Sequence, residues 1–225
     1  MNGNKVYGNF LDRVDVDEKW FYVMQETERG YVVVSDDDDD DDDDNNNGDE
    51  RIKNDNKPIR KAQHKRFIRK VMFLCAQARP KFDLHRNAVW SGKLGCWPIG
   101  TWAPAQRNST YRPQGTLIWK NTTITKEVYR KILMEKVVPS IEQNWPQGAW
   151  NNENITIKVQ QDSPNSHISQ NDNQFKQFLR ERDLLNKIQL VTQPAQSPDL
   201  NINDLGFFRA LQAEYEKKIQ GTQEI

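Results

Sequence analysis

Three aspartates, far apart in the chain, stand where carboxylates can be aimed at one point. Asp17 lies in Val14-Asp15-Val16-Asp17-Glu18-Lys19-Trp20-Phe21, an acidic opening to an apolar stretch. Asp162 comes three residues after Ile155–Val159, where Ile155, Ile157 and Val159 alternate with Thr156 and Lys158 as in a strand. Asp204 ends the turn that begins at Ser197-Pro198-Asp199-Leu200-Asn201 and leads into the last helix. Strand ends and helix starts are where side chains converge above a sheet. Carboxylates gathered there repel one another unless a cation joins them, and hard oxygen donors favour Mg²⁺ or Mn²⁺. Taken singly, each has a plainer reading: a solvated edge charge for Asp17, a turn residue for Asp162, a cap for the last helix at Asp204.

The elements that must position them follow from apolar periodicity. Trp20–Met24 and Gly30–Val34 read as two strands joined by Glu26-Thr27-Glu28-Arg29. Val71–Ala76 is a continuous apolar run, a strand buried on both faces. A further strand is expected near Trp90–Trp97, then an irregular insertion at about 98–123, rich in Gly, Pro and Trp. Lys126–Val138 is helical, with Val128, Ile132, Leu133 and Val137 on one stripe, Thr125 as its cap and Pro139 as its stop. Asn173–Asp183 is a short helix, Ile188–Thr192 a strand, and Leu205, Phe208, Leu211 and Tyr215 mark the last helix. Strands first, then helix, strand, helix, strand, helix, predicts an α/β fold with one central mixed sheet flanked by helices.

The 225 residues suffice for one domain with a sizeable core. The formal net charge is zero, but nine of the 32 acidic residues form the run Asp36–Asp44, so the rest carries a basic excess suited to a polyanion. The run and its neighbours, about 36–56, are expected to form a disordered loop. Arg60, Lys61, Lys65, Arg66, Arg69 and Lys70 form a basic group that could contact phosphates or be a solvated face before a strand. Two cysteines allow neither a disulfide framework nor a zinc cage, and Cys75 reads as a core residue. No signal-peptide-like or membrane-spanning stretch is present, so an intracellular chain with no membrane partner is expected.

Taken together, Val16-Asp17-Glu18-Lys19-Trp20-Phe21, Gln161-Asp162-Ser163-Pro164-Asn165-Ser166-His167 and Ser197-Pro198-Asp199-Leu200-Asn201 through Asp204 resemble, in order, the three catalytic motifs of the mariner-like branch of the DDE/D transposase superfamily. Val71–Pro80 and Gln106–Gly115 look like the branch found in plants and water moulds, and the resemblance runs from about Phe10 to Glu214. Departures are Ser163, where the family has Asn, and the long gap of 41 residues between Asp162 and Asp204. Only sixteen residues precede Asp17, where family members carry helix-turn-helix modules, so that N-terminal region is expected to be absent.

The resemblance implies a ribonuclease-H-like fold forming a single catalytic domain. It implies two Mg²⁺ (or Mn²⁺) ions held by Asp17, Asp162 and Asp204, with Asp17 shared between them. The implied function is cleavage and strand transfer of DNA in the nucleus, with transposon ends and target as partners and a homodimer expected from the family. His167 could support Asp162, position a phosphate, or be structural. Glu18, one step along the strand from Asp17, should point to the opposite face and is left out. The competing expectation is a truncated, non-catalytic remnant that binds DNA or another subunit.

Overall fold

In a computed structural model, the structure describes residues 10–22, 70–109, 112–146, 155–162, 164–194, 197 and 200–221. The expected strand at Gly30–Val34, the acidic run, and Arg60, Lys61, Lys65, Arg66 and Arg69 lie outside them; Lys70 is exposed at the start of a strand. In chain order the elements are β1 (Arg13–Tyr22), β2 (Lys70–Ala78), β3 (Lys81–Asp83), β4 (Ala88–Trp90), β5 (Lys93–Pro98), β6 (Gly100–Pro104) and β7 (Leu117–Asn121). Then come α1 (Lys126–Ile132), α2 (Val138–Asn144), β8 (Ile157–Gln161), α3 (Asn173–Glu181), β9 (Ile188–Thr192) and α4 (Phe208–Gly221).

Five strands form one sheet in the order β5-β2-β1-β8-β9. β1, β8 and β9 run parallel, whereas β2 and β5 pair antiparallel. This is the expected α/β architecture, one central mixed sheet with flanking helices. Alternation along β1 separates two chemistries. Val14 and Val16 enter the main core with Leu74, Tyr129, Leu133, Val137 and Ile157. Arg13, Asp15 and Asp17 are buried from the other face. There Arg13 pairs with Asp15 at 3.0 Å, and Arg13 and Gln160 both donate to the carbonyl of Leu200, which ties the approach to α4 to the sheet.

Several expectations are corrected. β1 opens at Arg13, so Asp17 sits inside the strand rather than ahead of it. β8 ends at Gln161, which puts Asp162 directly at its exit. The strand near Trp90–Trp97 is broken into β4 and β5 at Ser91-Gly92. Gly92 takes a φ of +77°, and a Cβ there would strike the backbone of Ala78. The stretch 98–123 is not irregular throughout: within it β6 and β7 pair antiparallel, from Gly100 opposite Asn121 to Pro104 opposite Leu117. Cys75 is fully buried, and it is disulfide-bonded to Cys96, its direct cross-strand partner in the β2–β5 register.

Pro139 does not stop the helix. A π turn, Leu133–Val137, links α1 to α2, and the Val138 N–H bonds to the Leu133 carbonyl five residues back. Proline lacks an N–H and its ring collides with the carbonyl four residues earlier. The wider turn just before it relieves that collision, and Pro139 falls in the first turn of α2. Thr125 does cap α1, accepting from the Val128 N–H.

α1 is fastened to α3 by one residue. Asp172 caps α3 through the Phe175 N–H at 2.9 Å and receives both Nε and Nη2 of Arg130, at 2.9 and 2.7 Å. The Arg130 guanidinium holds the Asp172 carboxyl below its ordinary value, against burial. A depressed carboxyl contributes stability above its unfolded value of about 4 and loses it as pH falls through the lower folded value. Asp172→Asn keeps a cap oxygen but not the bidentate pair, an expected loss of about 1–2 kcal/mol at pH 7. Urea unfolding of the two proteins should converge toward pH 3.

Candidate active site

β1 and β8 are parallel neighbours, in register from Arg13 opposite Lys158 to Asp15 opposite Gln160. The β8 exit therefore lies beside the middle of β1, and each strand delivers acid groups there: Asp17 and Glu18 from within β1, Asp162 just after β8. Two small clusters result, on either side of β1.

The first joins Asp17 to Asp204. The Asn201 side-chain amide donates to Asp17 Oδ2 and to Asp204 Oδ2, each at 2.6 Å. The other Asp17 oxygen accepts from the Glu18 N–H at 2.7 Å. Asn201 is itself oriented by the Asn203 N–H, which donates to its side-chain oxygen. Asp204 lies in the π turn Asn203–Phe207 that opens into α4. Burial raises the Asp17 carboxyl to about 6, and the charges of Asp204 and Glu18 push the same way, against the hydrogen bonds from Asn201 and the Glu18 N–H.

The second gathers Glu18, Asp162 and His167. His167 Nδ1 lies 2.9 Å from Asp162 Oδ1, and Nε2 lies 3.2 and 3.3 Å from the two Glu18 oxygens. The loop that carries His167 is turned back by the His167 N–H bond to the Pro164 carbonyl and pinned by Gln161 Nε2 to the Ile168 carbonyl at 2.6 Å. The imidazole stacks on Tyr129 of α1, centroids 3.9 Å apart and 11° from parallel. Burial pulls the His167 pKa down, but hydrogen bonds to Asp162 and Glu18 and their charges outweigh it, to about 9. The Tyr129 hydroxyl is pushed well up by burial and then by Glu18, Asp162 and Asp17 together, so one phenol feels carboxylates of both clusters.

Glu18, Asp162 and His167 can bring one ligand atom each within 4.8 Å of the others. Glu18 Oε1, Asp162 Oδ1 and His167 Nδ1 are also buried atoms with no well-aligned hydrogen bond, although Nδ1 and Oδ1 lie within contact distance. A bound cation could take one ligand atom from each of the three in place of these histidine–carboxylate contacts. Two carboxylates and an imidazole suit Mn²⁺, and Mg²⁺ with added water.

The structure thus joins two of the three expected aspartates through Asn201 and places the third, Asp162, with His167. Glu18, set aside from strand alternation, does leave the Asp17 face; the opposite face is where His167 waits. Asn201 lies inside the third motif, and Tyr129 falls three and four residues before Ile132 and Leu133 on the apolar stripe. Both were legible as positions but not as partners.

No family model and no curated protein matches this sequence. Solved structures that resemble the chain include three of one transposase. A Mos1 transposase paired-end complex with left transposon end shares 14% identity at a TM-score of 0.46. The Mos1 mariner paired end complex with Mn shares 16% at 0.47, and a pre-cleavage Mos1 transpososome 13% at 0.48. Each covers 96% of this chain but only 47–48% of the solved one, so the chain spans about half the length of the structures it matches. At these values no residue role is carried across from them.

Proposed function

We propose that the chain is the catalytic domain of a mariner-like DNA transposase, with Asp17, Asp162 and Asp204 as metal ligands and DNA ends and target as substrates. The observation that supports this reading is a pair of acid clusters on the two sides of β1 beside the β8 exit: Asp17 with Asp204 through Asn201, and Glu18 with Asp162 and His167. The three motif resemblances point to Asp17, Asp162 and Asp204. Two divalent ions, when bound, supply Lewis-acid activation of an attacking oxygen and stabilise the leaving one.

The chain's own residues do the positioning. The Glu18 N–H and Asn201 hold Asp17 in one rotamer, and Asn201 keeps Asp204 beside it. Tyr129 fixes the plane of His167, and His167 fixes Asp162. Burial keeps water from the inner oxygens, which strengthens their hold on a cation. Action on DNA in the nucleus, as a homodimer, belongs to the same proposal.

One observation favours a second reading, a non-catalytic remnant that only binds DNA. The Asn201 amide already occupies the gap between Asp17 and Asp204, where a cation would bridge them. Supercoiled-plasmid nicking decides. The expected result is open-circular product with Mg²⁺ or Mn²⁺ and none with EDTA. DNA binding without nicking in either metal would favour the remnant.

A further inference from the structure

We infer that the β6–β7 ribbon is a DNA-binding surface that takes an unpaired base on Trp102, an assignment that rests on the DNA reading above and names a contact apart from the carboxylates. From Leu84 to Lys126 the chain holds no acidic residue, but it holds six lysines and arginines and four tryptophans. Trp90 belongs to the core and Trp97 packs against it. Trp102 and Trp119 do neither. They are direct cross-strand partners, and Trp102 stands edge-on to Trp119 at 5.6 Å.

Trp102 is 65% exposed, in a row with exposed Pro104 and Leu117, which are also paired. An indole left in water forgoes about 2 kcal/mol or more of burial. The platform is also built. Trp119 is held by its Nε1–H to Asn121 at 2.9 Å, and its ring lies over Gly100, where a Cβ would strike it. Only glycine lets that ring lie down across the ribbon.

The charge of this ribbon says what would cover it. Arg107 is exposed and Arg112 half-buried in the connection between its strands, and Lys120, paired with Thr101, is exposed on the face opposite Trp102. Among the described residues no ion pair engages any of the three, and no carboxylate lies within the segment to repel a phosphate. An aromatic platform on a cationic, acid-free ribbon suits strands with unstacked bases: the cations track phosphates, and the ring stacks on a base of any identity. An apolar protein partner would leave those cations uncompensated.

The test is fluorescence anisotropy in EDTA with two labelled DNAs, a blunt duplex and the same duplex with a single-stranded 3′ extension. Trp102→Ala should weaken binding of the extended DNA about tenfold while changing the blunt duplex about twofold or less. Trp102→Phe should restore most of the loss. Arg107→Ala should flatten the salt dependence on both DNAs by about one in slope, and Lys120→Ala, on the other face, should leave it unchanged. Equal affinity of W102A and wild type for the extended DNA would overturn the assignment, as would equal losses on the two DNAs. A W102A protein that turns from dimer to monomer in sedimentation with DNA affinity intact would give the face to a second copy of the chain instead. Nicking of plasmid by the same preparations separates the two proposals. Trp102-dependent binding without nicking keeps the ribbon and removes strand cleavage; nicking with W102A indifferent to the extension does the reverse.

Discussion

Replacing Asp17 by Asn should reduce metal-dependent plasmid nicking by about 10³-fold or more, a barrier increase of about 4 kcal/mol, while leaving the protein folded. The substitution is isosteric and removes one charge from the point where Asp204 and Glu18 already crowd it. Its structural cost is bounded. Asp17 accepts the Glu18 N–H on one oxygen and the Asn201 amide on the other. Asparagine has one acceptor, so one of those two contacts becomes donor against donor, about 1–3 kcal/mol. Against that stands relief of a carboxyl whose pKa is raised to about 6, a group that folding disfavours in its charged form at neutral pH. The two effects oppose, and melting should move by a few degrees only.

Asp15→Asn is the informative control. Asp15 lies two residues away on the same face, equally buried, but its partners are Arg13 and Gln160. Removing its charge takes one carboxylate from the Arg13 guanidinium, a cost of about 1–3 kcal/mol, against relief of a carboxyl that burial raises to about 6. Asp15→Asn should therefore fold with a melting temperature within several degrees of wild type and still nick DNA. If Asp17→Asn nicks at the wild-type rate, the carboxylate assignment fails whatever the melting data show.

The elements that periodicity announces are the ones whose partners lie on a single face or on both. Ile188–Thr192 is found at its expected bounds as β9, and the Asn173 helix and the Thr125 cap stand where residue type alone put them. What escaped depends on long-range geometry. The β6–β7 ribbon has no apolar alternation because one of its faces is open to solvent and carries tryptophan. Pro139 reads as a stop unless the π turn ahead of it is known, and a π turn leaves no mark in composition. Glu18 shows the limit most clearly. Alternation sends it away from Asp17, but only a residue 149 positions later, His167, makes the other face chemically active. The Asn201 bridge to Asp17 spans 184 positions. One chain states which residues are acidic; the order of strands in the sheet decides which of them meet.

His167→Ala should be the most destabilising single change at the site, about 3 kcal/mol or more in EDTA, or roughly a 10 °C drop in melting temperature. Two losses combine. The imidazole is almost fully buried against Tyr129, so its removal leaves a cavity under the stack. It also removes the positive partner of Glu18 and Asp162, since a pKa of about 9 makes His167 cationic at neutral pH without metal. Two carboxylates then face each other across a void with nothing between them. Glutamine in place of histidine refills part of the space without the charge, so His167→Gln should fall between the two. Divalent metal adds the deciding measurement. A Mn²⁺ ion taking Glu18, Asp162 and His167 as ligands stabilises the wild type by mass action, and His167→Ala, with one ligand fewer, should gain less at the same concentration. If His167→Ala melts within a degree of wild type in EDTA, the contacts drawn between β1, the β8 exit and α1 do not hold the site together. If both proteins gain equally from Mn²⁺, the ion is bound elsewhere.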